Sequence, residues 1–498
     1  MTDAAHDLYL VVAVLGLLPA VTLAGMPVLA QSAFVAVGGV GAIQLERAGL
    51  PIGGAILLAI ALGGVAGALT GTLVSRAEPP FVALSTWALA WLAYVALLGF
   101  PSLSGGAQGL TRPLNDRVET PLGFTVTLTP RVHLIAAAVL CVAVYWITAR
   151  LRAGPTAIAA LARRDDPELA TSLGVGHRQP LLLAGAGAAG AAAGAGIALT
   201  LGVAAPAELS PLLALQLLAA AIAGTRYPLI GAAVIVALAH APAELTAVVL
   251  LAAVALRRVL PERIRVDDVA GADGPPLPET VGVLTARDLH RSLGGRDVLR
   301  GLEVQLRAGE IHALIGRNGS GKTTALRVLA GALAPERGTV TGGPVARTFQ
   351  RAAGFPALTP YRQILLALHA THHDERAWPL LALVGLTERA HTPPAELTTG
   401  ELRLLQIARA VATGAPVLAL DEPAVGMTAA ERERLADVLR ELAAEGRAIL
   451  VVEHDLRLVA SLADVVTVLD DGRAIAHGAP ADVIADEDVQ RVYLGAAA

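Results

Sequence analysis

The chain has 498 residues, 54% of them hydrophobic, and a net charge of -4 from 38 Lys and Arg against 42 Asp and Glu. Without a basic excess it has no nucleic-acid footprint, and its single cysteine, Cys141, excludes an intramolecular disulfide framework and a cysteine-based zinc site. Only 22 of the charged residues fall in 1–256 and 58 fall in 257–498, so a membrane part precedes a soluble part.

A bilayer core of about 30 Å needs about 20 apolar residues in helix. Runs of that kind lie at 8–30, 50–74, 81–100, 132–149 and 181–205. The first follows Asp3, His6 and Asp7 with no Lys or Arg, unlike a cleaved signal peptide, and reads as a retained span. The stretch 31–43 is too short to cross alone and is a candidate re-entrant segment. The run 184–196 repeats small residues at every helical spacing, which suits close helix approach in lipid and equally a general Ala/Gly bias. Two runs of about 20 Å each, 211–224 and 228–240, flank Thr225-Arg226-Tyr227 and are followed by 243–256. They form either a tight helical hairpin or half-helices beside a substrate path. About eight spans are expected with both termini cytoplasmic, so that Arg76, the loop 150–180 and Arg226 lie inside. Arg47 and the loop 101–131 then lie outside, as exceptions to the positive-inside rule.

The inside loop 156–174 reads TAIAALARRDDPELATSLG. Asp166 before Pro167 and Glu168 is a helix start: a cap, a proline at the first position and an acid in the first turn. Leu169 and Leu173 then share one face. The segment is either a solvated connector or a helix that docks on the soluble part. Residues 257–284 pass from Arg-rich to Gly/Pro/Asp-rich and read as a flexible cytoplasmic linker. The organisation expected is a transmembrane domain at 1–256, this linker, and a soluble domain at 285–498.

Residues Gly316 to Thr324 read GRNGSGKTT, which satisfies G-x-x-x-x-G-K-[ST] between a strand-like run, 310–315, and a helical one, 324–333. Backbone N–H groups from Asn318 to Thr324, with the glycines Gly319 and Gly321 and with Ser320 between them, would turn around phosphate, aided by the helix dipole. Lys322, the only lysine in the chain, supplies a point charge, and Thr323 a hydroxyl for Mg²⁺. About 100 residues on, PVLALDEP describes a buried strand that delivers Asp421 to the metal, with Glu422 next to it placed to polarise water.

With Gln350 in RTFQ, LTTGE at 397–401 and His454 in VVEHD, the soluble part resembles the ATPase of an ABC transporter. EPAVGMTAAE, DDGRAIAHGAP and the ending VYLG narrow this to the branched-chain amino acid importers. SAFVAVGGVGA, GGAQGL and ALARRDDPELATSLGV are similar to the matching permeases. The resemblance implies an α-helical polytopic membrane domain joined to an α/β P-loop NTPase with a RecA-like core and a helical subdomain. By it, Lys322 and the Gly319–Thr324 backbone hold ATP, and Thr323, Gln350 and Asp421 serve Mg²⁺. Glu422 is the general base, His454 contacts the γ-phosphate, Thr398 and Gly400 close on ATP held by the opposite subunit, and 156–174 is the docking helix.

The chain departs from the family at Thr398 for serine, Glu401 for glutamine, and Leu293 near the place of an adenine-stacking aromatic. An extra charge at Glu401 is expected to oppose closure on the γ-phosphate, which favours a heterodimeric partner half over a homodimer. The function implied is ATP-driven import of a small solute across the cell membrane of a prokaryote, the substrate being branched-chain or other hydrophobic amino acids. A second half-transporter and an extracytoplasmic solute-binding protein are the implied partners. An exporter half-transporter and a membrane-tethered regulatory ATPase are the alternatives.

Overall fold

The computed structural model describes residues 1–112, 117–119, 125–242, 245–259, 281–348, 354–369 and 376–494. Contacts divide the chain into two units, Met1–Arg164 with Gly176–Asp268, and Asp165–Val175 with Val269–Ala498. The segment Asp165–Val175 therefore belongs with the ATPase sequence, although it lies between two membrane helices in the chain.

The helices up to the linker are α1 (Thr2–Thr22), α2 (Gln31–Arg47), α3 (Ile52–Val74), α4 (Pro79–Gly99), the one-turn α5 (Pro101–Ser104), α6 (Pro130–Ala153), α7 (Pro155–Asp165), α8 (Pro167–Ser172), α9 (Gln179–Leu201), α10 (Pro211–Ala223), α11 (Pro228–Ala239) and α12 (Leu245–Val259). Of these, α1, α3, α4, α6 and α9 are long and apolar enough to cross a membrane; α1 and α9 are mostly buried, and the other three are buried over less than a third of their span.

The Ala/Gly run lies in α9, and its small residues are used for packing. Gly63 and Gly67 of α3 meet the α9 backbone at Gly187 and Leu183, and Gly38 of α2 meets it at Ala191. A Cβ at any of these glycines would overlap the neighbouring backbone or side chain, so the helices approach as closely as bare backbone allows.

The expected first span, 8–30, is helical only as far as Thr22. Helix α1 ends at Thr22, Gly25-Met26-Pro27 breaks the chain, and α2 begins at Gln31. Helix α2 is not a re-entrant loop: its 17 residues run unbroken beside α9, from Gln31 near Ala186 to Gly39 near Ala198. The extra crossing reverses α1. Arg164 Nη1 donates to the Thr22 carbonyl at 2.7 Å, while Asp7 meets His240 at 3.1 Å at the other end. The N-terminus thus lies at the opposite end of the bundle from α7. Among the described residues, nine helices (α1–α4, α6 and α9–α12) alternate in direction. The short pair α10 and α11 is a tight hairpin: Gly224 and Gly231 meet at the turn, and Arg152 Nη2 donates to the Thr225 carbonyl at 3.0 Å. At the end away from α7, Gln44 Nε2 donates to the carbonyls of Ser102 and Leu103, and Arg112 forms a two-point pair with Glu46.

The second unit is built on a six-stranded sheet ordered Arg473–Gly478, Val465–Asp470, Ile311–Ile315, Ala448–Val452, Val417–Asp421, Val345–Arg347, parallel except for the first strand. Three of its strands, Ile311–Ile315, Val417–Asp421 and Ala448–Val452, are buried at all five positions, as expected where both faces of a parallel sheet are covered. A three-stranded antiparallel sheet of Arg296–Leu306, Leu284–Leu293 and Arg337–Gly342 shares a core with it through Leu299, Leu302, Leu314, Leu326 and Val417. The C-terminal ends of the three buried strands lie side by side, the place where open α/β sheets bind ligands.

Candidate functional site

The first of these strand ends runs into the glycine-rich loop and then into helix Lys322–Leu329. Gly319 and Gly321 have φ of +84° and +107°, and a Cβ on Gly321 would come within 2.7 Å of the Val298 carbonyl. Both turns are left-handed, the backbone that glycine adopts without strain, and at Gly321 a side chain has no room. Lys322 Nζ donates to the carbonyls of Gly316 and Arg317 at 2.7 and 2.9 Å. Burial lowers its pKa, opposed by the carboxylates of Glu422 and Asp421. Ser320 is buried, Asn318 and Thr323 are exposed, and Thr324 lies partly covered in the first turn.

Asp421 ends the strand Val417–Asp421, separated from Ile311–Ile315 by Ala448–Val452. It is 5% exposed, and its Oδ1 has no hydrogen-bond partner. Burial, and then Glu422, raise its pKa, while Arg347, Arg403 and Lys322 act against them. A buried, unpartnered carboxylate oxygen beside a phosphate-type loop suits a hydrated divalent cation. Glu422 has φ of +48°, a left-handed backbone that costs a non-glycine residue free energy, and its N–H is tied to the Val452 carbonyl at 2.9 Å.

Glu453, at the end of the third strand, is 1% exposed. Its two oxygens accept the N–H groups of Ala424 at 3.0 Å and His454 at 3.2 Å, which joins the loop after Glu422 to His454. The His454 side chain is exposed. Burial raises the pKa of Glu453 against those N–H donors. The sequence offered one signal for Glu453, a carboxylate directly after five apolar strand residues, which had been given no role.

Thr398 caps helix Thr399–Ala412 and forms a capping box with Glu401. One turn on, Arg403 is buried in the field of Glu422, Glu453 and Asp421. Gln350 lies outside the described residues. Leu293, 39% exposed, ends the strand Leu284–Leu293. Thus Lys322, Asp421, Glu422 and His454 gather at the three strand ends, whereas Thr398 and Gly400 belong to the start of a separate helix.

Within Asp165–Val175 the helix α8 starts where the Asp166 cap predicts. Asp166 Oδ1 accepts the Leu169 N–H at 2.9 Å, and Leu169 and Leu173 are buried. Asp165 accepts the Ala357 N–H at 3.0 Å, and Glu168 stands 3.8 Å from Arg347. A cavity of about 230 Å³ lies beneath, lined by Leu169, Leu173, Arg347, Thr348, Gln406 and Arg409. Arg409 Nη1 donates to Gln363 at 2.6 Å, with its guanidinium over Phe355. Burial pushes its pKa down to about 10, opposed by Asp166.

Residues 6–261 match the family "Branched-chain amino acid transport system / permease component". The chain belongs to this family. Its ATPase part matches "ABC transporter" over 299–425 and "Branched-chain amino acid ATP-binding cassette transporter" over 475–498, so a permease and a transport ATPase are fused in one polypeptide. The fusion is 32% identical over 251 residues to the high-affinity branched-chain amino acid transport ATP-binding protein LivG of Salmonella typhimurium, covering 43% of this chain and 98% of LivG. It is 33% identical over 242 residues to the hemin import ATP-binding protein HmuV of Thermobifida fusca, covering 44% of this chain and 85% of HmuV. Among solved structures, an ATP-binding cassette of an ABC transporter in its ADP conformation is 25% identical with a TM-score of 0.40, covering 43% of this chain and all of that one. An ATP-binding subunit of an ABC transporter is 26% identical with a TM-score of 0.38, covering 42% and 94%.

Proposed function

We propose that this fusion is one half of an ABC importer that drives branched-chain or other hydrophobic amino acids into the cell with ATP. The observation that carries the reading is the docking of Leu169 and Leu173, which lie between α7 and α9 in the chain, beside the strand that leads through Arg347 to Gln350. A permease loop seated there can transmit ATP-driven movement to the bundle. The family match and the LivG relative support the substrate class.

In this reading the Gly319–Thr324 backbone and Lys322 hold the β and γ phosphates, and the Lys322 ammonium turns from the two loop carbonyls to the phosphate. Thr323, Asp421 and Gln350 hold Mg²⁺, which screens the phosphate charge when bound. Glu422 accepts the proton of the attacking water, and the Glu453 bonds to Ala424 and His454 keep that base and the switch histidine in register. Two ATPase units sandwich two ATP, with Thr398 and Gly400 of each facing the other's nucleotide, so a second copy or a homologous half completes the transporter. The ATPase and the α7 end are cytoplasmic, the N-terminus is extracytoplasmic, and a solute-binding protein delivers substrate at that outer end.

The test is reconstitution of the full chain in proteoliposomes with ATP inside and a solute-binding protein from the same operon outside. Uptake of labelled leucine, isoleucine or valine is expected, dependent on ATP and on the binding protein. Export of the same solutes, or ATP hydrolysis with no solute movement for any amino acid, contradicts the reading.

A further inference from the structure

The signature loop carries an anion of its own. Thr398 Oγ donates to Glu431 Oε1 at 2.8 Å, and Gly400 lies so close beneath that carboxylate that an added Cβ would overlap it. Glu431 is set in place by its own helix, Ala429–Ala444, as the third residue of a second capping box. It accepts the Thr428 N–H and hydroxyl at 2.8 and 2.9 Å, and its own N–H donates to Thr428 Oγ at 3.3 Å. The Thr428 N–H first, then the Thr398 hydroxyl, hold the carboxyl below the usual carboxylate range, so it is ionised at neutral pH.

A threonine hydroxyl has one proton to donate. At Thr398 it goes to a carboxylate, and the same carboxylate covers Gly400. These are the two residues assigned above to the γ-phosphate of the opposite subunit. Carboxylate and phosphate are both oxyanions that seek the same donor, and their charges repel at such range. We infer that Glu431 is a built-in stand-in for that phosphate. It competes with the partner's ATP for the signature loop, and it turns aside before the sandwich closes. The role is positional: Glu431 takes no part in hydrolysis and sets the ATP concentration at which closure occurs. The inference rests on the proposed assignment of Thr398 and Gly400 to the nucleotide across the dimer.

Glu431→Gln tests it, because glutamine also serves at the third position of a capping box, while it removes the charge and turns one of the two acceptor oxygens into an amide donor. In the Glu422→Gln background, the full-length dimer in nanodiscs would carry spin labels on its two ATPase units. The ATP concentration for half-maximal approach of the labels should fall about tenfold with Glu431→Gln, and the difference should shrink as salt is raised. In the hydrolysing chain, KM for ATP should fall by a similar factor with kcat within about threefold. The melting temperature should stay within about 2 °C, which separates the effect from a fold defect. An unchanged or higher half-point in Glu431→Gln overturns the inference. Thr398→Ala separates the two readings. If it alters neither closure nor turnover, the signature assignment itself fails; if it blocks closure while Glu431→Gln changes nothing, only the role of Glu431 fails.

Discussion

Glu401 accepts the backbone N–H of Thr398 at 2.8 Å, and Thr398 Oγ accepts that of Glu401 at 3.0 Å. Arg389 stands 3.4 Å from the other carboxylate oxygen. The charge expected from sequence to oppose the γ-phosphate is turned back on its own helix start, where the dipole and Arg389 offset it. Held this way, Glu401 gives no reason to prefer a heterodimer over a homodimer. Glu401→Gln keeps the box, and steady-state ATPase of the purified chain should change by less than about twofold. A several-fold gain would restore the repulsion. Glu401→Ala should cost about 1 kcal/mol, read as a lower denaturant midpoint.

Glu422→Gln should leave ATP binding intact and stop turnover, because water loses its base while the loop and Asp421 remain. Lys322→Ala should weaken nucleotide binding itself. Equilibrium binding of a fluorescent ATP analogue distinguishes them, and equal affinity in the two variants would contradict the division of labour.

Leu169→Asp places a charge in the apolar contact of the docking segment, at a local cost of a few kcal/mol. Detergent-solubilised protein should keep its basal ATPase, while ATP-driven uptake in proteoliposomes is lost. If uptake survives, the segment is a connector and transmits nothing.

Arg409→Ala removes a buried guanidinium and strands Gln363 Oε1 together with the charge of Asp166. A loss of about 3–5 kcal/mol in the stability of the ATPase unit is expected. Chemical denaturation followed by near-ultraviolet dichroism measures it, and a loss below about 1 kcal/mol would show that water replaces the arginine at little cost.

Gly67→Val drives a branched side chain into the Leu183 carbonyl on the facing helix. Overpacking at such a contact costs about 1–3 kcal/mol, so the bundle should melt earlier in detergent, with no shift in the nucleotide affinity of the ATPase. An unaltered melting curve would mean that α3 and α9 can separate without loss.

The sequence by itself determined the phosphate loop, Asp421 and Glu422, the docking cap at Asp166, and the long apolar helices. Each is a local pattern, whose chemistry depends on residues a few positions apart. Tertiary structure alone decided the break between α1 and α2. Residues 8–30 carry no charge, so composition is blind to the turn at Gly25-Met26-Pro27, and missing that turn reverses α1. It also decided where charge goes. The pairing of Thr398 with Glu431, and of Glu453 with Ala424, joins segments about 30 residues apart, and side-chain direction, which no spacing encodes, selects the partner. Glu401 shows the same principle within a single turn: its residue type promised repulsion across a dimer, and a hydrogen bond three residues back along its own helix claimed the carboxylate instead.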